Sequence, residues 1–253
     1  MALQPIIDLD AQRVVAHEAL VRGRDGQGAR HILDQVNKTN LYAFDQACRG
    51  HAIALASRLG LQGRLNINFL PNAVYEPLAC IRATLEAAAR TGFPPERLTF
   101  EMVESEEVAE TGHMRRIIEA YRRLGFRVAL DDFGTGYSGM ARLADLRPDA
   151  IKVDRALITR CDEDGTRRAI LASLLALGRE INVDVVLEGV ERVEEVETLR
   201  SIGGRFMQGF YFGRPAFETM VPDSEIRWPG MPPTASEPNR GEPDGSAREI
   251  DVG

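Results

Sequence analysis

Long apolar runs are missing from this chain of 253 residues. No stretch approaches the roughly 20 apolar residues that a membrane-spanning helix requires, which excludes a helical membrane protein. The first twenty residues carry Asp8, Asp10 and Arg13 and no uninterrupted apolar core, so they do not read as a secretory leader. Cysteine is scarce as well. Cys48, Cys80 and Cys161 stand far apart, which excludes a disulfide framework and the paired spacing of a zinc site. They read as reduced thiols of a cytoplasmic protein, filling helices or the core. Basic residues fall short of acidic ones, 31 Lys and Arg against 38 Asp and Glu, for a net charge of -7. That balance argues against a protein that coats duplex nucleic acid, because backbone binding needs clustered cations to release counterions. An anionic substrate would need local neutralisation instead.

What is present is an ordinary soluble core. Hydrophobic residues make up 44% of the chain, and the length suits one large barrel or two small domains. Two short apolar runs, Leu3 to Leu9 and Val14 to Leu20, are joined by Asp10-Ala-Gln-Arg13 at hairpin spacing. Residues 23 to 30 form a Gly-rich polar loop. Leu41, Phe44, Cys48, Ala52, Leu55 and Leu59 then recur at helical spacing up to Gly60. From there strands and helices alternate: a strand at Leu65 to Phe69, a helix from Glu76 to Arg90, and a strand at Leu98 to Val103. A helix with Met114, Ile117, Ile118, Tyr121 and Leu124 inward follows, then the strand Val128 to Asp131. Strands at Ala150 to Val153 and Val185 to Leu187 flank a helix with Ile170, Leu171, Leu174, Leu175 and Ile181 inward. Val193, Val196, Leu199 and Ile202 mark a last helix, and Phe206 to Gln208 a last strand. About eight strands, mostly separated by helices, is the rhythm of a (β/α)8 barrel, an α/β fold of one domain over residues 1–228. Residues 229–253 hold five Pro and four Gly without a periodic apolar face and are expected to be a disordered tail.

The polar residues fall in a pattern. Glu18, Asn68, Glu101, Asp131, Lys152, Glu188 and Gln208 each lie at or near the C-terminal end of a different expected strand. In a barrel those ends converge on the face that carries active sites. Singly, a Glu at a strand end is most often a solvated loop residue or a helix cap, Lys152 a surface ion pair and Asn68 a turn residue. Their joint placement argues for a site. Asp131 and Asp132 stand out even alone, since adjacent carboxylates between an apolar run and a loop with Gly134 and Gly136 resist desolvation without a cation. Oxygen ligands of this kind suit Mg²⁺ or Mn²⁺, and two such ions activate water and stabilise in-line displacement at phosphorus.

Five motifs in order carry a resemblance: Glu18-Ala19-Leu20-Val21-Arg22, Asp131-Asp132-Phe-Gly-Thr-Gly-Tyr-Ser138, Ile151-Lys152-Val153-Asp154, Glu188-Gly189-Val190-Glu191 and Gln208-Gly-Phe-Tyr-Phe-Gly-Arg-Pro215. From Gln4 to about Pro215 the chain resembles the EAL-domain family, bacterial phosphodiesterases that open cyclic di-GMP to the linear dinucleotide 5'-pGpG. The resemblance implies a modified (β/α)8 TIM barrel with an antiparallel first strand, in agreement with the opening hairpin. It implies that Glu18, Asn68, Glu101, Asp131 and Asp132 ligate two Mg²⁺ or Mn²⁺ ions, with Asp131 bridging them. Glu188 is implied as general base or metal-site ligand, and Lys152 as the contact to the attacking water or the phosphate. Arg22 would neutralise a phosphate, while Gln4, Leu20, Asp154 and Gln208 would line the dinucleotide site. Glu104 would hold the loop after Asp132, which links the metal site to a homodimer interface.

Several positions depart from the family's pattern. Leu70 and Gly139 stand where Ser is common, and Val103 where Thr is common. None removes an implied ligand. The short loop after Arg22 resembles the subgroup often attached to light-sensing domains; no sensor domain precedes Met1, so either the barrel acts alone or the chain is a shortened form. A catalytically silent cyclic di-GMP receptor or protein-interaction module is the alternative. Loss of Glu18, Lys152 or Glu188 would favour it, and none is lost. An unrelated barrel enzyme with an enolising Mg²⁺ site leaves the Phe133 to Tyr137 loop and the Gln208 motif unexplained.

Overall fold

The computed structural model describes residues 1–70, 77–103, 111–136 and 139–230, with the backbone alone at 77–79, 103 and 111. The expectations for Glu76, Glu104, Tyr137, Ser138 and the tail from residue 231 lie outside the described residues.

The chain opens with the expected hairpin. Strand β1 (Ala2–Asp8) pairs antiparallel with β2 (Arg13–Leu20), Gln4 facing Glu18 across the ladder. Parallel neighbours then follow in chain order: β3 (Arg64–Asn68), β4 (Leu98–Val103), β5 (Arg127–Phe133), β6 (Ala150–Val153), β7 (Asp184–Leu187) and β8 (Phe206–Met207). Strand β8 returns to β1 in antiparallel register, Ile7 opposite Met207, and this closes an eight-stranded barrel whose first strand runs against the rest. A short β9 (Ala216–Phe217) adds to the opposite end of the same β1 edge.

Helices wrap the outside: α1 (Ala29–Leu33), α2 (Leu41–Arg58), α3 (Pro77–Thr91), α4 (Thr111–Arg123), α5 (Gly139–Leu146), α6 (Arg155–Ile158), α7 (Gly165–Glu180) and α8 (Val193–Ser201). None among the described residues is long and apolar enough to cross a membrane. The three cysteines are free; Cys80 and Cys161 are buried and Cys48 is half-buried.

One inward stripe differs from expectation. Helix α7 buries Leu171, Leu174, Leu175 and Gly178, while Ile170 and Ile181 are 42% and 44% exposed. The cause is a close approach. A Cβ on Gly178 would sit 2.5 Å from Val185 Cγ2 and 2.8 Å from the Val183 carbonyl oxygen. The missing side chain sets the line of contact through Gly178, and the two isoleucines fall to either side of it.

Beneath β3 and β4, Phe69, Phe100, Tyr121 and Phe126 form an aromatic cluster around the fully buried Arg49 of α2. Its guanidinium lies 5.6 Å and 5.3 Å from the Phe69 and Phe100 ring centres, contacts Asp45 at 2.6 Å, and donates to the Tyr121 hydroxyl at 3.1 Å. Asp45 in turn accepts the Leu70 amide at 3.1 Å, which fixes the chain just past the end of β3. Breaking such a buried pair leaves an uncompensated charge and costs roughly 3–5 kcal/mol. The end of β3 is therefore firmly held where Asn68 must point.

Candidate active site

In a strand every second side chain faces the same way, and in this barrel that alternation turns Gln4, Glu18, Asn66, Asn68, Glu101 and Lys152 to the interior. Glu18 pairs with Asn66 across β2 and β3, and Asn68 with Glu101 across β3 and β4. Glu188 and Gln208 follow directly after β7 and β8. Asn66 lies deeper in the barrel, and the others reach the C-terminal mouth of the parallel strands.

Lys152 is the hub. Its ammonium lies 3.1 Å from Glu18 Oε2, 3.0 Å from Glu101 Oε2, 3.2 Å from Asp131 Oδ1 and 2.8 Å from Glu188 Oε1. An ammonium has three protons and cannot serve four carboxylates at once. Consistent with that limit, Glu101 Oε2 is buried and receives no hydrogen bond. Side-chain amides fix oxygens of Glu18 and Glu101. Asn66 donates to Glu101 Oε1 at 2.7 Å, Asn68 to Glu18 Oε1 at 3.0 Å and Gln208 to Glu18 Oε2 at 2.8 Å. Gln208 also donates to Gln4 Oε1 at 3.2 Å, and Gln4 to the Gly213 carbonyl at 3.2 Å.

Adjacent residues of a regular strand point to opposite faces, yet Asp131 and Asp132 join one cluster. A bulge explains this. The register of β5 against β6 slips between Leu130 and Phe133, and Asp132 takes a left-handed backbone with φ 54°. Aspartate is among the few non-glycine residues that tolerate that conformation. Ligand oxygens of Asp131, Asp132 and Glu188 consequently lie within 4.8 Å of one another, as do those of Glu18, Glu101 and Asp131. The loop beyond is tied back by Thr135, whose hydroxyl donates to the Asp132 carbonyl at 2.9 Å, and it turns at Gly134, whose φ of 102° would strain any side chain.

The electrostatics are lopsided. Glu18, Glu101, Asp131, Asp132 and Glu188 set five carboxylates against one ammonium. Burial, only partly offset by Lys152, pushes Glu101 and Glu188 well above the usual carboxylate range, with Glu18 and Asp131 adding to the rise. Burial, then the neighbouring Asp131 and Asp154, lifts Asp132 to about 6. Glu18 goes the other way: burial opposes its charge, but Lys152 and the Gln208 and Asn68 hydrogen bonds outweigh burial and lower it. Lys152 is held well above its ordinary value, the four acids overcoming its burial. An excess of oxygen anions around a buried oxygen without a partner is a donor set that fits hard divalent cations.

Of the residues implied by the sequence to meet substrate, Gln4, Asp154 and Gln208 line a pocket of about 180 Å³ together with Glu18 and Glu188. Asp154 also caps α6 through the Ala156 amide at 2.8 Å. Arg22 and Leu20 do not line it; the Arg22 guanidinium donates to the Val21 carbonyl at 2.7 Å. Sequence reasoning passed over Asn66, Arg155 and Phe210. The alternation of Leu65-Asn66-Ile67-Asn68 was signal enough for Asn66, since both amides share one face.

A family model described as the EAL domain matches residues 1–215. Among solved structures, a standalone versatile EAL protein from Vibrio cholerae O395 with c-di-GMP bound is 46% identical, with a TM-score of 0.84 over 87% of this chain and 92% of that one. BlrP1 of Klebsiella pneumoniae, in a manganese and cyclic di-GMP complex, is 35% identical, with a TM-score of 0.81 over 85% of this chain and 55% of that one. The probable cyclic di-GMP phosphodiesterase PdeG of Escherichia coli K12 is 33% identical over 165 residues, 64% of this chain and 32% of that protein. The chain spans about half the length of the curated relatives it matches or less, 56% in one case and 15% in another. A match over 215 consecutive residues, laid on a barrel with this antiparallel first strand and this acid cluster, leaves one assignment: the chain belongs to the EAL-domain family.

Proposed function

We propose that this barrel is a metal-dependent phosphodiesterase that hydrolyses cyclic di-GMP to linear 5'-pGpG. The observation that carries the proposal is the excess of carboxylates around Lys152, set at the wall of a pocket on the barrel face where such enzymes work. The manganese and cyclic di-GMP found together in the related BlrP1 complex support the same reading.

Glu18, Asn68, Glu101, Asp131 and Asp132 are the residues that would hold two Mg²⁺ or Mn²⁺ ions. Such cations, when bound, lower the pKa of water and neutralise charge on phosphoryl oxygens. Glu188 is the most exposed of the four acids on Lys152, at 16%, and sits on the pocket wall, so it orients the attacking water and accepts its proton. The buried Lys152 keeps its charge and offsets the negative charge that grows on phosphorus-bound oxygen. Gln4, Asp154 and Gln208 seat the dinucleotide. In the net reaction hydroxyl adds to phosphorus, one ribose–phosphate bond breaks, and the freed ribose oxygen takes a proton. Working as a homodimer through the loop after Asp132 belongs to the same proposal.

The test is incubation of the chain with cyclic di-GMP and Mg²⁺ or Mn²⁺, with product followed by chromatography. Linear dinucleotide is the expected product. Tight binding without product would assign the barrel as a receptor.

A further inference from the structure

The opposite mouth of the barrel, at the N-terminal ends of the parallel strands, opens a second cavity of about 590 Å³. That size lies within the range of small-molecule sites. Five arginines line it, on a chain whose net charge is -7. Two are neutralised: Arg127 by Asp184 at 2.6 Å and Arg205 by Asp8 at 2.7 Å. The other three have no carboxylate partner among the described residues. Arg64 donates to the Glu96 carbonyl at 2.9 Å, and Arg97 to the Gly63 carbonyl at 2.8 Å, but carbonyl groups do not cancel charge. Arg13 is exposed, with no side-chain hydrogen bond or ion pair among the described residues. Burial, and next the neighbouring Arg127, hold Arg64 below the usual guanidinium range, while Asp184 and Asp149 pull the other way.

The floor of this cavity is polar and unfinished. Asn66 and Thr99 face each other across β3 and β4, and both are more than nine-tenths buried. Asn66 spends its amide N–H on Glu101 above, while its Oδ1 is buried without a partner. A buried acceptor left unsatisfied is costly, so it marks a place for a donor. Between floor and rim the walls are apolar, with Ile6, Ala16, Val186 and the ring of Phe206. Inorganic phosphate would satisfy the arginines and leave the walls and Asn66 bare. A phosphate joined to a flat ring system with N–H donors satisfies all three.

The geometry points to a second binding site, at the N-terminal mouth, for a nucleoside 5'-monophosphate. Its phosphate meets Arg13, Arg64 and Arg97, and its base lies against Phe206 with an N–H on Asn66 Oδ1. This site meets the Lys152 cluster only through Asn66, which donates to Glu101, and it does not depend on the activity proposed for that cluster.

Calorimetric titration of the full chain in EDTA tests the site, with AMP, GMP and inorganic phosphate as probes, each with and without saturating cyclic di-GMP. One nucleotide per chain is expected, unaffected by cyclic di-GMP and weaker by about tenfold in Arg64→Ser and in Arg13→Ser, the loss for one charge-assisted hydrogen bond. Arg13 has no side-chain hydrogen bond or ion pair to lose among the described residues, so its variant separates binding from folding; melting curves check both variants. The proposal fails if neither nucleotide binds at millimolar concentration, if cyclic di-GMP displaces the probe, or if inorganic phosphate binds as well as the nucleotides.

Discussion

Lys152 and the five carboxylates of its cluster form a residue-scale balance that tips with pH. For Asp132 the unfolded carboxyl titrates at 3.8 and the folded one at about 6. Unfolding therefore releases a proton between those values, and the group's contribution to stability is present at low pH and lost as pH rises through that window. In EDTA the melting temperature is expected to fall as pH rises from about 4 to about 6, and saturating Mg²⁺ or Mn²⁺ at the upper end should restore it. A melting temperature insensitive to cation at neutral pH would contradict a metal role for the cluster. At this scale the sequence was largely readable. Glu18, Asn68, Glu101, Asp131, Lys152, Glu188 and Gln208 were found because strand ends meet at one mouth, and the structure brings all seven together. Asn66 was missed although its spacing from Asn68 puts it on the same face. The four-acid sharing of Lys152 was not readable, because which acid a lysine meets depends on barrel closure.

The element that makes the site unusual is the bulge in β5. Only by breaking the strand's alternation do Asp131 and Asp132 reach one cluster, and the break rests on a left-handed Asp132. Asp132→Asn keeps a residue that tolerates this backbone and should leave the melting temperature near wild type while turnover falls. Asp132→Val loses both, with roughly 1–2 kcal/mol of stability gone. Equal melting temperatures for the two variants would mean that the bulge does not depend on residue 132. The sequence located the strand but stopped it at Asp131, because alternation rules contain no bulge. Helix α7 has the same lesson. Its apolar residues were visible, but the contact line through Gly178 follows from tertiary approach to Val183 and Val185. Gly178→Val should overpack that contact and cost about 1–3 kcal/mol in denaturant unfolding; an unchanged midpoint would place the helix farther from β7. The short α1, α5, α6 and β9 escaped notice because none is long enough to build a periodic pattern.

For the whole molecule, the opening hairpin was the informative feature. It forces β1 against the direction of its neighbours, and closure by β8 onto β1 then gives one barrel with two mouths of opposite character, acidic around Lys152 and rich in arginine around Arg64. The order of strands came from the sequence rhythm, whereas the charge contrast between the mouths needed the strand register. The most direct measurement is turnover of cyclic di-GMP by the purified chain and by Glu188→Gln, with Mg²⁺ or Mn²⁺ present and with EDTA. The wild-type chain is expected to release linear dinucleotide only with metal, and Glu188→Gln to lose about 10²–10⁴-fold in rate, the usual contribution of a general base, while melting no lower than wild type. Undiminished turnover in Glu188→Gln, or bound but uncleaved cyclic di-GMP in the wild type at every metal concentration, would contradict it.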